Sequence, residues 1–269
     1  MTVFEKSIKR EMTYEKFRQI RDHVYGDGKN TWSYTYGQVS SWFTWNRDTQ
    51  GKIASADRFT DEDGKTKPVP ADYTEKRQYY DGPIYDWDRE KFSAEGKFHP
   101  KITTDIVFVG LNMSGEGKPH PLPFLYQNAR GHPRIVKAFF GTAAEGGYFT
   151  DIIKPDKRIN DAIIKTGGDF SKAADVMRVI KKDQTGILKA HFDLFKAELR
   201  FIGAAKPLLI VFGNNADWLV NKGFEKNHLE KSSFHKVVKF QHYGSYPAGG
   251  DEAWINDIRE KLKPYITIP

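Results

Sequence analysis

The sequence predicts an α/β protein: a right-handed three-layer α/β/α sandwich around a mostly parallel central sheet. Three observations carry this prediction. Short runs in which nearly every residue is apolar, at 106–109 and 207–212, read as strands buried on both faces. Segments with apolar residues at helical spacing alternate with them, the longest spanning 187–202. Each strand-like run then ends in a polar or glycine-rich turn, which is how parallel strands deliver loops to the carboxyl edge of a sheet.

Taken in order, Thr13 is placed to cap a helix carrying Phe17, Ile20 and Val24 on one face. Trp32, Tyr34 and Tyr36 alternate with Ser33 and Thr35, as in a short half-exposed strand, and Trp42, Phe43 and Trp45 follow. Residues 47–78 are polar, contain Pro68 and Pro70, and read as a long loop or extended hairpin. Structureless connections beyond about 12–15 residues are uncommon inside a compact domain. A boundary is therefore expected near residue 100. Residues 1–100 form an aromatic-rich N-terminal extension packed on the main domain, and residues 101–269 form the α/β domain. Within it, 133–140 reads as a short helix closed by Gly141, and 148–153 as a second strand. Residues 154–184 are charged and broken by Gly167-Gly168. The long helix from Ile187 ends at Gly203, and the strand at 207–212 turns through Gly213-Asn214-Asn215 into a helix with Trp218 and Leu219. Val237, Val238 and Phe240 form a strand leading to His242, and Asp251 is placed to cap a last helix with Trp254, Ile258 and Leu262.

Composition narrows the chemistry. Among 269 residues, 42 lysines and arginines stand against 35 acidic residues, for a net charge of +7. The two signs are interspersed, which suits a phosphate-rich partner but equally a soluble basic protein. The absence of cysteine excludes disulfides, Cys-ligated zinc and iron–sulfur clusters, and fits a reducing cytoplasm. The first residues lack the apolar core of a secretory signal, and no window approaches the ~20 apolar residues of a membrane span. Neither a dinucleotide-binding glycine fingerprint nor a P-loop is present, so nicotinamide and ATP chemistry have no support. His99, His120 and His132 each precede proline but lack carboxylates at ligand spacing, so no metal is expected.

The polar turns hold the candidate site. Gly110, Leu111, Asn112, Met113 and Ser114 follow the first strand; the glycine permits close backbone approach, and Asn112 can both donate and accept. PFLYQN at 123–128 brings Phe124, YFTDIIK at 148–154 brings Asp151, and HYGS at 242–245 brings His242 and Ser245.

The order and spacing of these segments resemble the uracil-DNA glycosylase superfamily, and within it the mismatch-specific uracil/thymine glycosylases, from about residue 104 to 263. GLNMSG resembles the family's Gly-x-Asn-Pro-Gly loop, whose asparagine positions the attacking water. Phe124, twelve residues after Asn112, stands where the family carries the aromatic that stacks on the extruded base. YFTDIIK resembles the strand end that reads the base edge, LIVFGNNA at 209–216 the turn that supports the site, and HYGS the family's His-Pro-Ser motif. In three places the chain departs from the pattern. Met113 replaces a proline, Tyr243-Gly244 replaces a single proline, and Asp151 stands where relatives often have asparagine. A carboxylate cannot donate to a carbonyl oxygen unless protonated, which puts uracil as the target in doubt.

The resemblance implies a monofunctional DNA glycosylase, monomeric and without a cofactor, that hydrolyses the N-glycosidic bond of a base flipped out of DNA. Asn112 and His242 are its expected catalytic residues. Gly110, Leu111, Met113, Ser114, Phe124, Asp151 and Ser245 are expected to hold the base, and Lys236, Lys239 and Tyr246 to meet the DNA. Two other readings stay open: a catalytically silent member that binds nucleic acid or protein, and an enzyme acting on free nucleosides or nucleotides.

Overall fold

A computed structural model describes residues 2–8, 12–26, 28–31, 33–43, 58–60, 66–68, 102–112, 132–170, 172–183, 186–245 and 248–268. The first elements are α1 (Val3–Ser7), α2 (Tyr14–Asp22), β1 (Val24–Tyr25), β2 (Tyr34–Thr35), α3 (Tyr36–Val39), β3 (Ser40–Trp42), β4 (Arg58–Thr60) and β5 (Thr66–Pro68). Next come β6 (Thr103–Asn112), α4 (His132–Phe139), β7 (Gly147–Ile153), α5 (Lys157–Ile164), α6 (Ala173–Lys181) and α7 (Ile187–Ile202). The chain closes with β8 (Leu208–Phe212), α8 (Asn214–Glu225), β9 (Lys236–Phe240) and α9 (Gly250–Leu262).

The central sheet has the order β3-β7-β6-β8-β9. Strands β7, β6, β8 and β9 run parallel, and β3 pairs with β7 antiparallel. Parallel strands need both faces covered, and the side chains divide accordingly. Val107, Val109, Leu111, Leu209 and Val211 enter a large core shared with residues of α2 and α5–α8. Ile106, Phe108, Leu208, Ile210 and Phe212 enter a second core with α4 and α9, in which Phe43, Phe108, Phe149 and Phe212 form a cluster of rings. Helices on both faces of a mostly parallel sheet make the α/β sandwich that the sequence predicted.

The N-terminal segment supplies part of this frame. Phe17 and Ile20 of α2 lie in the larger core, Phe4 of α1 in the smaller, and β3 forms an edge of the sheet. Three local expectations are corrected. Val24 is an exposed residue of β1 rather than part of the helix, because α2 ends at Asp22. Tyr36 opens a helical turn and is buried, so only Tyr34 and Thr35 form the half-exposed strand. Asp251 does not cap the last helix: Gly249, with φ of 85°, precedes it, and Asp251 in its first turn pairs with Arg134.

The strand order reverses direction once within the sheet. From β6 the chain moves outward to β7, then crosses back to β8 on the other side. That reversal is the switch point at which open α/β sheets leave a crevice beyond their carboxyl ends.

Candidate functional site

Four strand ends meet at this edge: Asn112 of β6, Ile153 of β7, Phe212 of β8 and Phe240 of β9. Gly110 and Asp151 are register partners two residues before the ends of β6 and β7. A Cβ on Gly110 would collide with Asp151 Oδ1, so the glycine exists here to make room for the carboxyl group.

Asp151 is 2% exposed, and neither carboxylate oxygen has a hydrogen-bond partner among the described residues. An unpartnered buried carboxylate is unfavourable, so the group retains its proton more readily. Burial raises its pKa to about 7; Lys154 opposes the rise and Glu198 adds to it. The charge on Asp151 in turn adds to the burial that lifts the Tyr243 hydroxyl well above its ordinary value.

The turn after β9 presents His242. Gly213, at φ 88° and ψ 161°, is in a conformation essentially reserved for glycine, and a Cβ there would lie 3.1 Å from His242 Cβ. The backbone N–H of Gly244 donates to His242 Nδ1 at 3.1 Å, which assigns the neutral ring's proton to Nε2. Part of the ring meets solvent, yet the protein around it lowers its pKa by desolvation and favours the neutral form. The ring also stacks on Tyr243 at 4.3 Å between centroids.

Arg134 holds this turn in place. Although buried, it donates through Nη1 to the carbonyl oxygens of Tyr243 and Ser245, at 2.8 and 2.5 Å, and its Nε lies 2.8 Å from Asp251 Oδ1. Trp254 Nε1 donates to the Gln241 carbonyl at 2.9 Å, and Ser245 N–H to that of His242 at 3.0 Å.

The structure thus brings Gly110, Asp151 and the His242–Ser245 turn to one edge. Ser245 is exposed there. Leu111 lies in the same strand end, its side chain packed in the larger core on the opposite face from Phe108, as alternation along a strand requires. Asn112 ends β6 opposite Ile153, and only its backbone is described. Met113, Ser114, Phe124 and Tyr246 lie outside the described residues. Lys236 begins β9, about 13 Å of strand rise from its carboxyl end, and Lys239 is 3.4 Å from Asp217.

Arg134 was not singled out by the sequence, whereas Gly213 lies in the 209–216 turn expected to support the site. Arg134 precedes Ala138 by one helical turn on the buried stripe of α4, and a cation on such a stripe was the available signal. Among the described residues no three His, Asp or Glu side chains are grouped to hold a metal ion, and no helix is long and apolar enough to cross a membrane. Comparison with protein-family models, curated proteins and solved structures finds no match.

Proposed function

We propose that this edge of the sheet releases a nucleobase by hydrolysing its N-glycosidic bond, as in a DNA glycosylase acting on a flipped uracil-type, mismatched or damaged base. The observation that carries the reading is the buried carboxyl of Asp151, without a hydrogen-bond partner among the described residues and with a pKa of about 7. A protonated carboxyl offers a donor and an acceptor side by side, as an amide does. It is complementary to the adjacent C=O and N–H of uracil, thymine or hypoxanthine. The replacement of asparagine by Asp151 is therefore compatible with such bases when the group holds its proton.

In this reading Asn112 holds a water beneath the anomeric carbon. The C–N bond breaks with its electron pair on the base, the water oxygen bonds to the sugar, and the displaced proton ends on the base. Neutral His242 donates from Nε2–H toward the negative charge developing on a base oxygen. Phe124 stacks on the extruded base. The chemistry needs neither a cofactor nor a covalent intermediate.

A second reading, hydrolysis of free nucleosides or nucleotides, draws support from the placement of the lysines. Lys236 is distant from the edge and Lys239 is paired with Asp217, which weakens both as DNA phosphate contacts. One experiment separates the readings. Duplexes and single strands containing uracil, mispaired thymine, hypoxanthine or alkylated bases are incubated with the protein, then treated with alkali to reveal abasic sites; free nucleosides are assayed in parallel. Abasic sites support the glycosylase. Turnover of nucleosides alone, without oligonucleotide affinity, selects the second reading, and binding without base release leaves a silent member of the fold.

A further inference from the structure

A cavity of about 420 Å³ is lined by Gly26, Asn30 and Thr31, by Arg158 of α5, and by Ala190, Asp193 and Leu194 of α7. Its volume falls within the range of small-molecule sites, roughly 300–1,000 Å³. The loop at one wall is fastened to the start of α5: Thr31 bridges to Asp156, and Lys157 N–H donates to the Asn30 carbonyl at 2.8 Å. Gly26, with φ of 86°, lets the loop close on the Thr31 hydroxyl, where a Cβ would collide.

Arg158 is fixed before any ligand arrives. Its Nε and Nη2 donate to the two oxygens of Asp156 at 3.1 and 2.6 Å, while its side chain keeps 31% of its surface exposed. Asp156 is fully buried and accepts from the backbone N–H groups of Arg158 and Ile159 as well. Burial acts to raise its pKa, but His191 and Arg158 outweigh this and hold it at about 2, so its anchoring charge persists at neutral pH. Asp193, also in the lining, is bracketed by Lys189 at 2.6 Å and Lys196 at 2.9 Å. Arg158 and Asp193 are the charged lining residues, and with their immediate neighbours the cations Lys157, Arg158, Lys189 and Lys196 outnumber Asp156 and Asp193. That surplus of positive charge, with a pre-set planar guanidinium, favours an oxyanion.

We propose that this cavity is a second ligand site, in which Arg158 receives the oxyanion of a phosphate ester and Ala190 and Leu194 receive its organic part. The same chemistry is offered by a free nucleoside monophosphate and by the backbone of a nucleic acid, and the test distinguishes them.

The full-length protein is titrated calorimetrically with inorganic phosphate, with adenosine monophosphate, and with a single-stranded oligonucleotide. Arg158→Met removes the guanidinium. Ala190→Glu, on a helix that tolerates glutamate, leaves Arg158 and Asp156 intact and places a carboxylate in the cavity; circular dichroism verifies folding of both. The expected result is binding of the mononucleotide or the oligonucleotide, weakened about tenfold or more by each folded variant, as loss of a charge-assisted contact requires. Binding of the mononucleotide identifies a free ligand; binding of the oligonucleotide alone identifies a strand phosphate. No binding of any probe to the unsubstituted protein, or equal binding by Ala190→Glu, overturns the proposal.

Discussion

The carboxyl group of Asp151 occupies the volume that any side chain on Gly110 would need. The two residues sit opposite one another on adjacent parallel strands, and the Phe149 ring closes the same space, 3.4 Å from the position of a built Cβ. Gly110→Ala is expected to destabilise the fold by about 1–3 kcal/mol, the usual range for overpacking. Asp151→Ala removes the colliding oxygen, so the double variant should be more stable than the sum of the single effects predicts. Urea unfolding of the three variants checks this, and strict additivity would count against the contact.

Stability should carry the signature of the buried carboxyl. The Asp151 pKa is about 7 in the fold against an ordinary 3.8. Between those values the native state binds more protons than the unfolded chain, so this group makes stability fall as pH rises through the window and level off above it. Asp151→Asn removes the titration. It should gain on the parent protein by up to about 4 kcal/mol from about pH 4 to pH 8. Denaturation midpoints across that range measure the gap, and a gap independent of pH would contradict the assignment.

Arg134 should matter more than its place outside the recognised motifs suggests. Arg134→Met leaves the carbonyls of Tyr243 and Ser245 without their donor and Asp251 without its cation. A loss of about 2–4 kcal/mol is expected, with the His242 turn displaced. Thermal unfolding reads the first effect. The second is read by the His242 ring resonances, which should shift in this variant and stay in place in an exposed-surface control on α5's carboxyl end, Lys165→Ala.

Much of this frame was legible in the sequence. The apolar runs of β6 and β8 leave no room for another reading once flanked by helical patterns, and Gly203 ends α7 with φ of 84°, as its position after the last apolar residue implied. Strand β3 was not legible: with three residues it has too little pattern, and its pairing with β7 joins residues more than a hundred positions apart. The same limit hid the site's support. His242 and Asp151 stand out as polar residues at strand ends, but Arg134 reaches the turn across 109 residues of sequence. The state of Asp151 depends on Gly110 and on burial, neither of which its own neighbours in sequence reveal.

Gly213→Ala should separate activity from stability. The residue's backbone conformation disfavours any side chain by about 1–3 kcal/mol, and the added methyl would press on His242 Cβ. If His242 acts on the departing base, the rate of base release should fall by more than tenfold under conditions in which the variant is fully folded. An unchanged rate in the folded variant would remove His242 from the chemistry.

The most direct test follows the Asp151 carboxyl itself. Its carbon-13 resonance, identified by its loss in Asp151→Asn, is titrated with pH in the absence and presence of free uracil or hypoxanthine. The expected midpoint is near 7 without the base and moves upward with it, because the protonated form is the one that matches a carbonyl. A midpoint below about 5, unmoved by either base, would contradict both the raised pKa of the buried Asp151 carboxyl and its role in reading the base edge.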